Sequence, residues 1–321
     1  MSTFKEIRGT LIKSLSSDPS PISNGDIWYN STSQTLKGVM PVSAWASGGN
    51  LGTARYQMGT FGTQTAAIGA GGYIYPGPGT VSNTESYNGT TWSPVSSMGT
   101  GRKGTGAAGT QTAGAVFGGF SGGGQNQTEL WNGSIWAGSG TLNTSRGFLN
   151  GAGTQIAALA FGGYVAGNLS ASESFNGATW ASTSPINTAR RAGAGAGTQT
   201  AALFITGLAA AVTTAVESWD GTSWTTSPIS VNTARYAVGG GGTQTSAIIF
   251  GGNTPSITAA TEQYNGTSWT TTTSLSTARN NIGSAGNQTA ALGFGGYAGG
   301  SSSNATEEYT VAATTKTFTT S

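Results

Sequence analysis

The chain of 321 residues carries 13 basic and 11 acidic side chains, a formal net charge of +2, and neither Cys nor His. That balance gives little drive toward nucleic acid. The missing thiols exclude a disulfide framework and Cys-based zinc, and the missing imidazoles exclude a Ser-His-Asp triad, a Cys-His pair and His-ligated metals, so no metal or cofactor is expected.

From the N-terminus, residues 1–24 read as an extension and residues 25–46 as a hairpin followed by a strand near Val39–Trp45. No run reaches the roughly 20 strongly apolar residues that span a bilayer, and no basic-then-apolar leader opens the chain; neither membrane insertion nor signal-dependent export is expected. Glycine at 54 positions would suggest disorder if unpatterned, but here it falls at fixed offsets between apolar runs.

Residues 47–321 return six times to one pattern: an Arg, nine residues on a Gln, a Gly-Gly, then Glu-x-aromatic-Asn-Gly-x-x-Trp. The Gln positions, 64, 111, 155, 199, 244 and 288, lie 44 to 47 residues apart, which marks an array of equivalent modules. Each module reads as four short strands. In the fifth copy, Ala234–Val238 is the expected first strand, Gly242-Thr243-Gln244-Thr245 a turn and Ser246–Phe250 an apolar second strand stopped by Gly251-Gly252. Thr261–Tyr264 and Thr267–Thr270 then flank Asn265-Gly266, which suits a type I′ hairpin. One copy departs from the diglycine with Thr206-Gly207, and the last, from Tyr309, lacks both Asn-Gly and Trp. Ala44-Trp45-Ala46 precedes Arg55 much as Thr179-Trp180-Ala181 precedes Arg190. The expected fold is therefore all-β, a six-bladed propeller whose last blade is completed by an N-terminal strand that leaves no open sheet edge.

Half of the charges belong to the repeat: Arg55, Arg102, Arg146, Arg190, Arg235 and Arg279 recur with Glu85, Glu129, Glu173, Glu217, Glu262 and Glu307 at offsets of 27 to 30 residues. Six equivalent copies argue for a structural role, each Arg bonded to a Glu or to strand-end carbonyls, rather than for an active site. Trp45, Trp92, Trp136, Trp180, Trp224 and Trp269 read as packing between blades. The Gly-Thr-Gln-Thr segments read as structural, their side chains satisfying turn backbone groups. Carboxylates for glycoside hydrolysis would have to come from the repeat Glu residues, Asp220, Glu307 or Glu308, and no catalytic residue is assigned.

The Gly-Gly ending an apolar strand, the aromatic about fifteen residues later, the Trp five beyond it and the Arg opening the next unit resemble kelch repeats, whose family fold is a β-propeller, over roughly Val39–Ser321. A second resemblance begins at Arg8-Gly9-Thr10-Leu11-Ile12-Lys13-Ser14, Ser16-Ser17-Asp18-Pro19 and Gly25-Asp26-Ile27-Trp28-Tyr29-Asn30. Together with the Thr-Ala-Arg and Phe-Gly-Gly-Tyr wording of the repeats, these strings are similar to tail or fibre proteins of tailed phages of marine bacteria. That resemblance implies a virion protein, assembled in the host cytoplasm and extracellular as a particle, held to other virion proteins by its N-terminal segment.

The segments between diglycine and Glu vary, and strand alternation puts them on one face, opposite the Asn-Gly turns. Fixed turns on one face and free loops on the other suit a scaffold that presents a binding surface. Tyr75, Asn126, Asn168 and Asn253 are the expected rim contacts of a shallow site for host glycan or protein. The alternative is a capsid- or tail-decorating subunit with no host ligand. Whether copies self-associate in the particle stays open.

Overall fold

The computed structural model describes residues 12–318. Arg8 to Leu11 of the second resemblance, with the start of the expected extension, lie outside these residues. The chain divides into a larger compact unit, residues 45–310, and a smaller one that joins residues up to 44 with those from 311 onward. The C-terminal residues, counted from sequence with the last repeat, group with the smaller unit because the strand Thr306–Phe318 runs for 13 residues. The described residues form strands and turns, with no helix among them.

The larger unit is propeller-like. Its first four-stranded antiparallel sheet comprises Gly59–Thr63, Ala66–Ala70, Thr84–Tyr87 and Trp92–Val95. Four more follow, opening at Gly106–Thr110, Asn150–Gly153, Ala194–Gly197 and Gly239–Thr243. Gly283–Gly286, Ala290–Phe294 and residues 306–310 then pair in the same antiparallel order, and Thr35–Ser47 is the next strand in that sheet. Second strands are mostly apolar because both faces are covered: Ala158, Leu159, Ala160 and Phe161 are all fully buried, as are Ala247 to Phe250. Each large apolar side chain so buried contributes about 1.5–3 kcal/mol.

The expected first strand Ala234–Val238 is displaced: the strand is Gly239–Thr243, and the segment carrying Arg235 is a link between sheets. Its sequence, Gly-Gly-Gly-Gly-Thr, reads as loop. A side chain has no room there, since a Cβ on Gly239 would stand 2.6 Å from the Phe250 ring. The Asn-Gly turns also differ from a two-residue hairpin. Tyr87 pairs with Trp92, so the loop has four residues, and Asn88 Oδ1 accepts the amides of Thr90 (2.9 Å) and Thr91 (2.8 Å). Asn is selected here as a side-chain acceptor that caps the turn.

Neighbouring sheets are tied by bonds that recur from repeat to repeat. The amide of Gly104 donates to Gln57 O (2.8 Å), Phe148 to Gly104 (2.6 Å), Ala192 to Phe148 (2.9 Å), Ala237 to Ala192 (2.6 Å), Asn281 to Ala237 (2.7 Å) and Gln57 to Asn281 (3.2 Å). The series thus returns to its starting residue. All six residues have φ between 50° and 61°. For the five that are not glycine this left-handed conformation costs about 1–2 kcal/mol each, offset by the bonds it permits. The Gln side chains reach across to the preceding sheet rather than serving their own turns: Gln155 Nε2 donates to Trp131 O (2.6 Å), Gln244 to Trp219 O (2.6 Å) and Gln64 to Tyr309 O (2.6 Å). The Trp indoles reach back likewise, Trp92 to Thr306 Oγ1 (3.0 Å), Trp180 to Thr128 Oγ1 (2.9 Å), Trp224 to Ser172 Oγ (3.3 Å) and Trp45 to Thr261 Oγ1 (3.1 Å). Trp269 finds no partner, because Val216 stands where the others have a hydroxyl.

Each repeat Arg lies fully buried and bonds its repeat Glu, at 2.8 Å for Arg55–Glu85, 3.0 Å for Arg102–Glu129, 2.7 Å for Arg235–Glu262 and 2.6 Å for Arg279–Glu307. Arg146–Glu173 and Arg190–Glu217 pair in the same way. The guanidinium also serves backbone: Arg279 NH1 donates to Gly295 O and Ala305 O, both at 2.7 Å. Burial pulls the Arg279 pKa down and the Glu307 charge pulls it back. In the fourth repeat Thr206 takes the first glycine's positive φ, at 56°, and its hydroxyl lies 2.6 Å from Thr213 O and Arg235 O.

In the smaller unit Lys13–Leu15 runs parallel to Ile27–Asn30, which pairs antiparallel with Thr35–Ser47 in the register Ile27 to Gly38. Asp18 accepts from Lys37 Nζ (2.7 Å), Asn30 Nδ2 (2.7 Å) and Trp28 Nε1 (3.1 Å), and these bonds, Lys37 foremost, hold its carboxyl below the usual range.

Candidate functional site

Where the chain enters each sheet, the residue after the repeat Arg forms a β-bridge with the residue after the diglycine position. The six pairs are Tyr56 with Tyr73, Lys103 with Phe120, Gly147 with Tyr164, Arg191 with Leu208, Tyr236 with Asn253 and Asn280 with Tyr297. The backbone arrangement is therefore fixed while the side chains differ. This is the end of the sheets from which the second-to-third loops emerge, opposite the four-residue Asn-Gly loops.

The first and last repeats make the most developed part. Tyr56 lies 5.5 Å from Tyr73 and 5.6 Å from Tyr297, ring centroid to centroid, and Tyr75 lies 6.4 Å from Tyr297. Tyr56, Gln57, Tyr75, Asn280, Asn281 and Tyr297 line a cavity of about 350 Å³. Tyr75 is 49% exposed and is held by reciprocal bonds, its amide to Ser302 Oγ and the Ser302 amide to its carbonyl, both 2.7 Å. Beneath it runs an amide relay, Gln57 Nε2 to Asn281 Oδ1 (3.3 Å) and Asn281 Nδ2 to Asn280 Oδ1 (3.0 Å). Burial, with the neighbouring tyrosines, raises the Tyr56 pKa, so its phenol is a neutral donor at ordinary pH. Lys103 Nζ sits 3.8 Å from the Tyr73 centroid, and burial lowers its pKa.

The other expected rim residues are differently placed. Asn168 Oδ1 accepts from Arg191 NH1 (2.7 Å), whose guanidinium lies 4.3 Å from the Tyr164 centroid, and Asn168 Nδ2 donates to Leu208 O (3.0 Å) and Ala209 O (2.8 Å). Asn253 Nδ2 donates to Tyr236 OH (2.8 Å), and Asn126 Nδ2 to Leu142 O (3.4 Å). All three are half-buried. Tyr75 thus joins the tyrosine cluster, and the three Asn side chains tie their loops to neighbouring chain. Tyr56, Asn280 and Asn281 had no mark in the repeat pattern; the signal for Tyr56 and Asn280 was that the position after each repeat Arg changes identity in every copy but two.

A second cavity, about 160 Å³, is lined by the glycine-rich first strands and includes Thr105, Asn150 and Gln57, whose Oγ1, Nδ2 and Oε1 are buried without a partner. Glu308 and Asp220 are occupied elsewhere. Burial, followed by the Glu308 carboxylate that accepts from Tyr87 OH at 2.5 Å, pushes the Tyr87 pKa up to about 12. Asp220 takes the turn-capping place of Asn, and the amides of Ser223 and Thr222 hold its pKa down at about 2. Among the described residues no group of three or more His, Cys, Asp or Glu is placed to hold a metal.

On the smaller unit, Ile27, Tyr29, Met40, Val42 and Phe318 are all exposed. The register puts Ile27 and Tyr29 opposite Gly38 and Leu36, and alternation puts Met40 and Val42 on that same face. The Phe318 ring lies over Gly38 there, and among the described residues Ile27, Tyr29, Met40 and Val42 stay exposed beside it.

A scan against protein-family models matches none. A search of curated proteins finds no relative.

Proposed function

We propose that residues 45–310 are a six-bladed kelch-like β-propeller closed by an N-terminal strand, and that the chain is a non-enzymatic virion protein of a tailed phage of marine bacteria. In this reading it is a tail or fibre module for host attachment, extracellular once the particle is released. Closure is supported by Trp45, whose indole reaches Thr261 as Trp180 reaches Thr128, and by Gln64, which bonds Tyr309 as Gln155 bonds Trp131. The observation that carries the attachment reading is the ring of bridged pairs, with fixed backbone and differing side chains, rich in Tyr, Phe, Lys and Arg on the loop face. The apolar face of the smaller unit supports its role as the holdfast to other virion proteins, since contiguous exposed apolar surface marks an interaction site.

A second reading, a decorating subunit without host ligand, is favoured by one observation: the side-chain amides of Asn126, Asn168 and Asn253 are spent inside the protein. Adsorption of the labelled full-length chain to a panel of marine bacteria separates the two. Attachment predicts binding that is lost, at unchanged melting temperature, when loop residues 75–79 and 121–124 become Gly-Ser. No adsorption, with the protein located on the capsid shell by electron cryomicroscopy of particles, favours decoration.

A further inference from the structure

We infer, resting on the attachment reading, that the tyrosine cavity between the first and last repeats binds a single neutral pyranose ring. The ring stacks on Tyr75 and Tyr297, and Asn280 with the tyrosine phenols holds its hydroxyls.

The lining residues, Tyr56, Gln57, Tyr75, Asn280, Asn281 and Tyr297, include no carboxylate, ammonium or guanidinium. Two chemistries suit clustered aromatic faces. The C–H bonds of the apolar face of a sugar present a weakly positive surface to the negative π-face, and a quaternary ammonium presents a full charge. A bound ammonium gains most where a carboxylate accompanies the rings. Here no carboxylate lines the cavity, and the Lys103 ammonium lies on Tyr73, which packs against Tyr56, and repels a cation. A sugar meets no such penalty.

Hydroxyl recognition needs polar groups not already committed to the protein. The amide relay runs from Gln57 through Asn281 to Asn280 and ends there: Asn280 Nδ2 donates to no protein group among the described residues. The hydroxyls of Tyr56, Tyr75 and Tyr297 also have no protein partner among those residues, in contrast to Tyr87 and Tyr264, whose hydroxyls are bonded. Upstream in the relay, buried Gln57 Oε1 lacks a donor. One free amide and three free phenols around rings tilted at 52° to 63° to one another thus match the alternating hydroxyls of a pyranose. The volume, about 350 Å³, lies near the small end of the roughly 300–1,000 Å³ of ligand pockets, which suits one ring, such as a chain terminus or branch.

Saturation-transfer NMR on the full-length chain with millimolar glucose, galactose, mannose and N-acetylglucosamine tests the inference. The expected result is transfer to the ring protons of at least one neutral sugar, with affinity falling roughly tenfold, or about 1.4 kcal/mol, in Tyr75→Ala and in Asn280→Ala. Tyr75→Phe, which keeps the ring face and removes one of the three phenols, gives a smaller loss than Tyr75→Ala, and Ile135→Ser, in an exposed turn at the other end of its sheet, leaves affinity unchanged. Absence of transfer from every neutral sugar overturns the inference, as does binding indifferent to Tyr75→Ala and Asn280→Ala, or selective binding of tetramethylammonium. Cell adsorption measured in parallel keeps the two readings apart. Adsorption without sugar binding removes the pyranose site and leaves attachment, whereas sugar binding without adsorption to any cell removes attachment and leaves the site.

Discussion

Replacing Arg235 by Met removes the charge from a fully buried site while keeping much of the side-chain volume. Three acceptors lose the guanidinium: Glu262 Oε1 at 2.7 Å, Gly251 O at 3.2 Å and Ala260 O at 2.6 Å, of which Ala260 O keeps the Gly251 amide at 3.0 Å. Glu262 keeps one bond through its other oxygen, from the Asn232 amide at 2.6 Å. Removing one partner of a buried ion pair costs about 3–5 kcal/mol. The one abandoned carbonyl, Gly251 O, adds about 1–3 kcal/mol in isolation, which partial rehydration reduces, so the upper end, about 5 kcal/mol, is expected. In a unit of this size that lowers the melting temperature by on the order of 10 °C. Urea denaturation followed by Trp fluorescence gives the free energy directly. The double variant Arg235→Met with Glu262→Gln removes the stranded charge and is expected to recover about 1–3 kcal/mol. A single variant destabilised by less than about 1 kcal/mol, or a double variant no better than the single, would refute the account of an uncompensated buried carboxylate.

Three further outcomes follow from particular contacts. Trp180→Ala at its buried site should cost about 3–5 kcal/mol and Trp45→Ala, half-buried, about 2–4 kcal/mol; a negligible effect at Trp45 beside a large one at Trp180 in chemical denaturation removes the closing-strand reading. Val216→Thr supplies the hydroxyl that Trp269 Nε1 lacks and should raise stability by about 0.5–1.5 kcal/mol; a loss of stability in the same assay would show that the indole cannot reach it. Tyr87, with its pKa raised from 10.0 to about 12, favours the folded state while its phenol stays neutral. Its contribution is complete below pH 10, where the unfolded phenol is also neutral, and is lost as pH rises to about 12. Tyr87→Phe should flatten that part of the stability-versus-pH curve, and an unaltered slope would place the titration elsewhere.

What could be read from the residues depended on whether a feature leaves a side-chain signature. The apolar second strand Ser246–Phe250 matches its sequence run residue for residue, because burial on both faces demands a continuous apolar segment. Its neighbour Gly239–Thr243 could not be read as a strand, since close approach of backbones selects glycine, which otherwise marks loops. The Asn of each Asn-Gly turn was visible but its task was not: Oδ1 capping of a four-residue loop and positive φ in a two-residue hairpin select the same residue. In the candidate site Tyr75 stood out as an aromatic in a variable loop. Tyr56 and Tyr297 lie far apart in sequence and meet only because the last sheet comes beside the first. Hydrogen bonds such as those of Asn168 to Leu208 and Ala209 join loops of different repeats and have no counterpart in local spacing.

The six-membered series of amides through residues 57, 104, 148, 192, 237 and 281 runs in one rotational sense, every donor pointing to the residue of the sheet before it. A homodromic cycle of this kind lets each bond polarise the next, and the bonded series itself has no terminal member. A linear solenoid can fray from its last module inward, whereas here the loss of any one sheet strands a donor on one side and an acceptor on the other. Amide exchange at these positions should therefore follow global unfolding rather than local opening. Because only main-chain atoms take part, residues as different as Gln57, Phe148 and Ala192 hold equivalent places, so the cycle resists mechanical opening while leaving its side chains free to diversify.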